Sequence, residues 1–438
     1  MFSICLVANT ERAPQAVFNM LGSMQHRKTR RHSVISLSEK GEPSVIKIEG
    51  IVFNSANLDR SRIESLRGRT AFGLGVRSGF NVHVGSFQYR RFVLLASGSL
   101  FESPQWRQVL SSDDEASVWA EQMIREGGGS GQDLHQIFLN FLSRHYGVYS
   151  SLLWYQEKIT IASDPYGFMP LTLARMGDSV VCATETCSLD LLGVNKSLWR
   201  HFKPGQWVQV DITTGKMREG QLDLEKEVPV QHCALSFIYG LRPDSEAFGI
   251  SPAAISTALA RCLAEELDDS DFEVVVPIPD SGIPIAQELA SYLKIPFKTA
   301  ILRNHYLHSA LDSEEVKFSV VKDLVRGKKV LLVGTSILQG RTVKLLIRLL
   351  RSAGAAEVHV VMGPEIIRPC PAKLSFAEKN RLADLISSQK SSSQICEHIN
   401  ADSLTFLSLG QFLSGFNPYG PERFCFHCFG ISSAVFPT

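Results

Sequence analysis

The sequence lacks the features of a membrane, secreted or nucleic-acid-binding protein. No apolar run approaches the ~18 residues that span a bilayer, and the start, MFSICLVANTERAPQ, has neither the basic nor the apolar region of a signal peptide. The formal net charge is +1, so no bulk electrostatic attraction to nucleic acid or to a membrane is expected. We therefore expect a cytoplasmic protein that binds neither nucleic acid nor membrane.

Disulfide bonds and disorder are also poorly supported. Nine cysteines in a chain of 438 residues without a secretion signal favour thiols or metal ligands over a disulfide framework. Hydrophobic residues make up 44% of the chain and charged residues 20%, which is typical of an ordered globular protein. A chain of this length is expected to form two or three domains with ample core.

The pattern of the chain changes near residue 228. Before it, short β-type runs separated by turn residues predict antiparallel sheets layered with helices, an α+β arrangement. After it, strands alternate with helices, which predicts a parallel α/β sheet with its ligand site at the carboxyl ends of the strands. We place the domains at 1–228 and 229–438. The main predicted strands are 92–98, 149–155, 158–163, 179–184, 207–211, 274–279, 329–334 and 357–362, and the main predicted helices are 14–24, 114–125, 252–267, 283–293 and 342–353.

Two loops of the second domain have the form of phosphate sites. VVVPIPDSGIPIAQELA (274–290) predicts a strand, a tight loop and a helix, with Asp280, Ser281 and Gly282 where the helix begins and backbone amides can bind an anion. Simple capping of the helix by Asp280 or Ser281 is the alternative. VLLVGTSILQGRTV (330–343) repeats the strand–loop–helix pattern. Two such loops about one βαβ unit apart favour a two-part phosphate site.

Five segments, in order along the chain, resemble the amidophosphoribosyltransferase family (glutamine phosphoribosylpyrophosphate amidotransferases). They are SDPYGFMPL (163–171), ATETCSLDLLG (183–193), FIYGLRPDSEAFG (237–249), VVVPIPDSG (274–282) and INADSLTFLSL (399–409). The resemblance implies an N-terminal nucleophile (Ntn) hydrolase-type glutaminase sandwich, then a type I phosphoribosyltransferase α/β domain with a cysteine-rich tail. It also implies the family reaction, in which phosphoribosyl pyrophosphate and glutamine give 5-phosphoribosylamine, the first step of de novo purine synthesis.

The phosphoribosyl loop departs from the family pattern. Family members have two adjacent acids there, which hold the ribose hydroxyls and support bound Mg²⁺, whereas this sequence has Gly334 and Thr335. A hard cation prefers carboxylate oxygens, so the resemblance implies that Mg²⁺ binding and transfer are impaired. The remaining loop residues, which are those of a 5′-phosphate cradle, are Ser336, Gly340, Arg341 and Thr342.

The glutaminase half departs further. Family members begin, after processing, with a cysteine whose own α-amine activates its thiolate, and the family spacing places Phe2 at that position. Cys5 follows three residues later in a strand-like run, where a buried structural thiol is predicted. The family's Asn-Gly oxyanion pair corresponds to Ser97 and Gly98, so an oxyanion donor is missing.

Two charged residues of the first domain match glutamine-binding positions of the family. They are Arg77 in GLGVRSG and Asp113 in SSDDE. Either one is equally well interpreted as a surface charge.

Four of the nine cysteines fit one further family feature. Some members bind a 4Fe–4S cluster through four cysteines, and Cys233, Cys370, Cys425 and Cys428 fall on those positions. The alternatives are buried thiols, or a zinc site completed by His232 or His427.

Three functions are consistent with these observations. The first is an amidophosphoribosyltransferase homologue with lost or impaired catalysis and a structural or regulatory role, in a homo-oligomer or in a hetero-oligomer with an intact paralogue. The second is an active, ammonia-dependent phosphoribosyltransferase. The third is a sensor that binds phosphoribosyl pyrophosphate, phosphate or a nucleotide.

Overall fold

The chain forms two compact units, each with its own sheets. The first contains residues up to Cys233 and Gly240–Ile250, and the second contains Ala234–Tyr239, Ser251–Pro371 and the C-terminal part. The computed structural model describes residues 3–27, 31–38, 42–49, 52, 57–76, 82–101, 114–127, 133–267, 271–304, 317–371 and 385–436. Within these ranges no helix has the length and apolar character needed to cross a membrane.

Two antiparallel sheets make up the first unit. One has the strand order β11-β9-β10-β1-β4-β2-β3 and the other β13-β12-β8-β7-β6-β5. A short strand, His232–Cys233 (β14), follows them. The strands of the two sheets are Ser3–Ala8 (β1), Arg31–Leu37 (β2), Pro43–Glu49 (β3), Thr70–Val76 (β4), Val82–Phe87 (β5), Arg90–Leu100 (β6), Gly147–Tyr155 (β7), Lys158–Ser163 (β8), Thr172–Met176 (β9), Ser179–Ala183 (β10), Trp199–His201 (β11), Gln206–Asp211 (β12) and Met217–Gln221 (β13).

Helices cover the outer faces of these two sheets. The helices of the unit are Ala13–Ser23 (α1), Asn57–Ser65 (α2), Glu115–Gly127 (α3), Leu134–Arg144 (α4) and Cys187–Leu191 (α5). One apolar cluster lies between the sheets and includes Leu6 and Leu152. A second joins α1 to the first sheet, and a third joins α3 and α4 to the second sheet. Because β1 and β7 are covered on both sides, every residue of each strand is buried, and the layers stack as the predicted sandwich.

A four-stranded parallel sheet organises the second unit. Its order is β15-β18-β19-β20, and each neighbouring pair runs parallel. The strands of the second unit are Val274–Pro277 (β15), Ile301–Arg303 (β16), Phe318–Val320 (β17), Lys329–Gly334 (β18), Glu357–Met362 (β19), Ser403–Phe406 (β20) and Phe424–Cys425 (β21). Its α-helices are Pro252–Glu266 (α6), Ile283–Leu293 (α7), Arg341–Ser352 (α8), Ser392–Ile399 (α9) and Leu409–Ser414 (α10).

The predicted elements of both halves are confirmed, with small shifts at their ends. Strands 158–163, 329–334 and 357–362 and helix 283–293 match to the residue. Strand β15 ends at Pro277 rather than 279 because the chain turns there, although the Ile278 amide still donates to the Val333 carbonyl at 2.8 Å. Helix Leu134–Arg144 was not predicted.

One buried histidine gives the fold a dependence on pH. His32 lies in β2 between β3 and β4, with 1% of its surface exposed. Burial disfavours the charged ring and lowers the pKa of His32 from 6.5 to about 4. The folded protein therefore keeps the ring neutral at a pH where the unfolded chain has taken up a proton.

We expect the free energy of unfolding to fall as pH drops from about 6.5 to about 4, by up to about 3 kcal/mol from His32 alone. The contribution is absent above pH 6.5, since the ring is then neutral in both states. Urea unfolding at several pH values, in the unaltered protein and in His32→Gln, measures it. The variant should show the shallower pH dependence, and parallel curves would contradict the assignment.

Candidate functional site

Two loops meet at the carboxyl edge of the parallel sheet. Strands β15 and β18 are adjacent, with Pro277 opposite Val333, so the loops that follow them share that edge. This is the arrangement predicted from the two strand–loop–helix segments.

The first loop lies tightly against the sheet. A Cβ atom at Gly282 would stand 2.6 Å from the Val333 carbonyl oxygen and 2.7 Å from that of Ile278, so a residue larger than glycine does not fit without movement of the backbone. Helix α7 starts at the next residue, with Gly282 as its N-cap. The alternative in which Asp280 or Ser281 is the helix N-cap is therefore wrong.

The side chains of the first loop have other partners. Exposed Asp280 accepts a hydrogen bond from Arg303, with 2.8 Å between the carboxylate oxygen and the guanidinium nitrogen. The Thr335 hydroxyl of the second loop donates to the Ser281 hydroxyl at 3.3 Å. The two hydroxyl groups thus lie together between the loops, whereas the amides of Gly282 and Ile283 at the start of α7 already donate to the carbonyls of Ile278 and Asp280.

The second loop ends in a left-handed turn. Gly340 has φ of 76° and is the N-cap of α8, a conformation that glycine adopts at little cost. Ser336 and Thr342 are partly buried and Arg341 is exposed. The predicted cradle residues therefore flank the start of a helix of twelve residues, whose free amides favour phosphate.

Apolar atoms occupy the space beside Gly334. A Cβ atom at this position would stand 2.8 Å from Ile278 Cδ1 and 2.8 Å from Met362 Sδ. Thr335, at the other position where the family has an acid, is 6% exposed and bound to Ser281. A carboxylate at residue 334 would therefore require both apolar side chains to move.

In the first unit, the cysteine nearest the N-terminus is inaccessible. Cys5 is fully buried in β1, with its Sγ 3.8 Å from the Val17 carbonyl oxygen. Burial raises the pKa of its thiol, so the thiolate needed for nucleophilic attack is disfavoured. The predicted buried thiol is confirmed. Phe2, Arg77 and Asp113 lie outside the described residues.

The predicted oxyanion pair lies inside β6. Gly98 has φ of 123°, and a Cβ atom there would stand 2.1 Å from the Val148 carbonyl oxygen. Ser97 is fully buried, and its hydroxyl has no hydrogen-bond partner among the described residues. The glycine is required by the backbone, whereas the serine hydroxyl is not used by the fold.

Two buried carboxylates were missed as organising residues of the first unit. Glu185 is 1% exposed, accepts from the Arg242 amide at 2.7 Å and the Ser245 hydroxyl at 3.0 Å, and lies 3.0 Å from His26 Nε2. Asp164 accepts from two backbone amides, at 3.0 and 2.9 Å. Burial raises the pKa of Asp164 to about 7, against the opposing effect of those amides. Each of these two acids stands in a segment of otherwise apolar or small residues, and this pattern could have predicted a buried carboxylate.

The four candidate ligand cysteines are all buried. Within the second unit, the amides of Ile367 and Arg368 donate to the Cys428 carbonyl at 2.9 and 3.1 Å, which brings the segment of Cys370 to the C-terminal pair. Burial raises the pKa of the Cys425 thiol, and Cys370 adds to the shift. Among the described residues, no three His, Cys, Asp or Glu side chains lie close enough to hold a single metal ion.

Comparison with known proteins gives a consistent result. The phosphoribosyl transferase domain family matches residues 250–362. The chain is 28% identical to the amidophosphoribosyltransferase of Bacillus subtilis (strain 168), over 98% of this chain and 92% of that protein. It is 30% identical to the amidophosphoribosyltransferase of Methanocaldococcus jannaschii, over 72% of this chain and 71% of that protein. The chain belongs to the amidophosphoribosyltransferase family.

A solved structure extends the likeness to the fold. The structure described as the allosteric regulatory enzyme of purine biosynthesis aligns with a TM-score of 0.85 at 27% identity, covering 98% of this chain and 95% of that one. The predicted family and the predicted fold class, a glutaminase domain followed by a phosphoribosyltransferase domain, are both confirmed.

The filled space beside Gly334 predicts a measurable energetic coupling. Gly334→Asp should lower the free energy of unfolding by about 1–3 kcal/mol, because it overpacks the contact with Ile278 and Met362. Met362→Ala should itself cost about 2–5 kcal/mol. The double variant should lose less than the sum, since the shorter side chain makes room for the carboxylate.

Urea unfolding of the four proteins in this cycle measures the coupling. Gly410→Asp is the matched control, because a Cβ atom there meets nothing within 4 Å. The prediction is contradicted if the losses of unfolding free energy in the two single variants simply add in the double variant. It is also contradicted if Gly334→Asp lowers the free energy of unfolding no more than Gly410→Asp does. Either result would show that the site has room for an acid.

Proposed function

We propose that this chain is an amidophosphoribosyltransferase homologue with lost or impaired catalysis and a structural or regulatory role. The observation that supports it most directly is the apolar surroundings of Gly334, where family members have an acid. A Cβ atom at residue 334 would stand 2.8 Å from the ends of the Ile278 and Met362 side chains, so an acid there requires these two side chains to change rotamer.

The phosphoribosyl loops do not fit a catalytic Mg²⁺ ion. Mg²⁺ is usually bound through one or two carboxylates together with substrate phosphates. Gly334 has no side chain that could bind a cation, and Thr335 has only a hydroxyl group. The carboxylate of Asp280 forms an ion pair with Arg303. No step of the proposed role therefore depends on Mg²⁺.

Glutamine hydrolysis is not part of the proposed role either. The family spacing places Phe2 at the nucleophile position, and the nearby cysteine, Cys5, is buried with a raised thiol pKa. Ser97 replaces the oxyanion asparagine, and loss of one such donor can cost about 100–1,000-fold in rate.

The surviving cradle points to binding without turnover. The hydroxyls of Ser281 and Thr335 and the amides at the start of α8 are suited to a phosphate group. Phosphoribosyl pyrophosphate or a nucleotide is the proposed ligand class. The proposed setting is a cytoplasmic oligomer, formed by copies of this chain or with an intact paralogue that supplies activity.

Assays with phosphoribosyl pyrophosphate test the proposal. We expect no 5-phosphoribosylamine from either glutamine or ammonia, and only weak Mg²⁺-dependent binding of phosphoribosyl pyrophosphate by calorimetry. A glutamine-analogue electrophile should leave Cys5 unlabelled in mass spectrometry. The Bacillus subtilis relative, assayed in parallel, is the positive control.

Two outcomes would contradict this role. Turnover with ammonia would make the chain an ammonia-dependent transferase, and stoichiometric labelling of Cys5 with loss of activity would show that the nucleophile position is misassigned.

A 4Fe–4S cluster bound by Cys233, Cys370, Cys425 and Cys428 is a second part of the proposal. Its support is the burial of all four thiols and the contact of the Cys370 segment with the C-terminal pair. Such a cluster takes one thiolate at each iron, so its ligands stand farther apart than those of a single zinc ion. Bound, the cluster would add its binding free energy to folding.

Cys425→Ser is expected to remove the iron and lower thermal stability, because one ligand is lost from a buried site. Anaerobic purification, iron and sulfide analysis, zinc analysis and a visible spectrum measure the metal content. Cys396→Ser is the matched control, since this partly buried thiol lies outside the candidate set. Metal-free protein that is folded and insensitive to Cys425→Ser would leave the four cysteines without this role.

A further inference from the structure

A basic groove runs beside α8 in the second unit. Its volume is about 780 Å³, within the range of small-molecule sites. The charged or titratable residues that line it are Arg341, Lys344, Arg348 and Arg351 from α8, with Glu397 and His398 from α9. Four of the six are cations, although the whole chain carries a net charge of only +1.

The sequence of α8 separates its two faces sharply. In RTVKLLIRLLRS the residues Val343, Leu346, Ile347 and Leu350 are buried, so the helix packs its apolar side into the core. The cations recur at intervals of three and four residues, which places them along one outer face. The helix contains no acid.

Within α8 itself no acid balances these cations. Like charges three or four residues apart destabilise a helix by about 0.2–0.5 kcal/mol per pair. Arg351 is held by Asp402 at 2.9 Å and by the Asn400 carbonyl at 3.1 Å. Among the described residues that line the groove, Glu397 is the single acid beside four cations, so their formal charge is positive.

We propose that this groove binds a soluble polyphosphate, a ligand with two or three linked phosphate groups. From Arg341 to Arg348 the helix advances about 10 Å, which suits a chain of phosphates better than a single one. Guanidinium groups bind phosphate oxygens in pairs and the Lys344 ammonium acts as a point charge.

The groove adjoins the phosphoribosyl loop but extends beyond it. A Cβ atom at Gly340 would stand 3.7 Å from His398 Cδ2, so the groove begins where that loop ends. Arg341 belongs to both, whereas Lys344 and Arg348 lie one and two turns farther along α8. Those two residues therefore test the groove independently of the proposed function.

Calorimetry with inorganic tripolyphosphate on the full chain, in buffer without Mg²⁺, tests the inference. Binding is expected to be at least about tenfold tighter than for orthophosphate, and to weaken as salt rises because screening shortens the range of the attraction. Lys344→Glu with Arg348→Glu should weaken binding about tenfold or more. Lys298→Glu with Lys322→Glu changes the net charge equally at two other exposed positions and should leave the affinity unchanged.

A variant that binds tripolyphosphate more tightly distinguishes a direct effect on the groove from an effect of misfolding. Glu397→Gln removes the acid of the groove and should tighten tripolyphosphate binding by about threefold, since it deletes a repulsive charge. Misfolding would not produce this change.

Four results would overturn the inference. They are equal affinity for orthophosphate and tripolyphosphate, unchanged binding in the Lys344→Glu/Arg348→Glu variant, and loss of binding in Thr335→Val alone, which would place the anion at the phosphoribosyl loop. The fourth is binding to phosphatidylserine vesicles without binding to tripolyphosphate, which would assign the surface to a membrane.

Discussion

The pairing of β15 with β18 is the contact on which the phosphate cradle depends. The ladder continues past the strand through the Ile278 amide and the Val333 carbonyl, and Gly282 then passes so close to the same carbonyl that a Cβ atom would meet it at 2.6 Å. Backbone contacts therefore hold the first loop at the sheet edge, and the Thr335–Ser281 hydroxyl bond adds to them. Because side-chain acids take no part in that contact, their replacement at 334 and 335 leaves the position of the cradle intact.

Much of the fold could be predicted from the sequence because its strands are short, buried and bounded by turn residues. KITIAS and KVLLVG contain the continuous β-branched or aliphatic runs ITIA and VLLV, and both strands were located to the residue. Helix Leu134–Arg144 was not predicted, although its buried apolar residues Leu134, Ile137, Phe138, Phe141 and Leu142 recur at helical spacing.

The site was less predictable, since its decisive contacts join distant parts of the chain. The sequence shows that residues 334 and 335 are not acids. It does not show that the side chains of Ile278 and Met362, from two other segments, lie beside Gly334. Glu185 likewise gathers His26, Arg242 and Ser245 from positions up to 159 residues away. Periodicity reports which face of an element is buried and carries no information about such partners.

The backbone at Gly98 requires a glycine for steric reasons that are independent of catalysis. With φ of 123° and the Val148 carbonyl 2.1 Å from any added Cβ, this glycine is fixed by steric exclusion within β6 and β7. Its neighbour, Ser97, faces no such demand and differs from the family's asparagine. A glycine in a motif can thus be required by backbone packing alone, so its presence does not show that the motif still performs its chemistry.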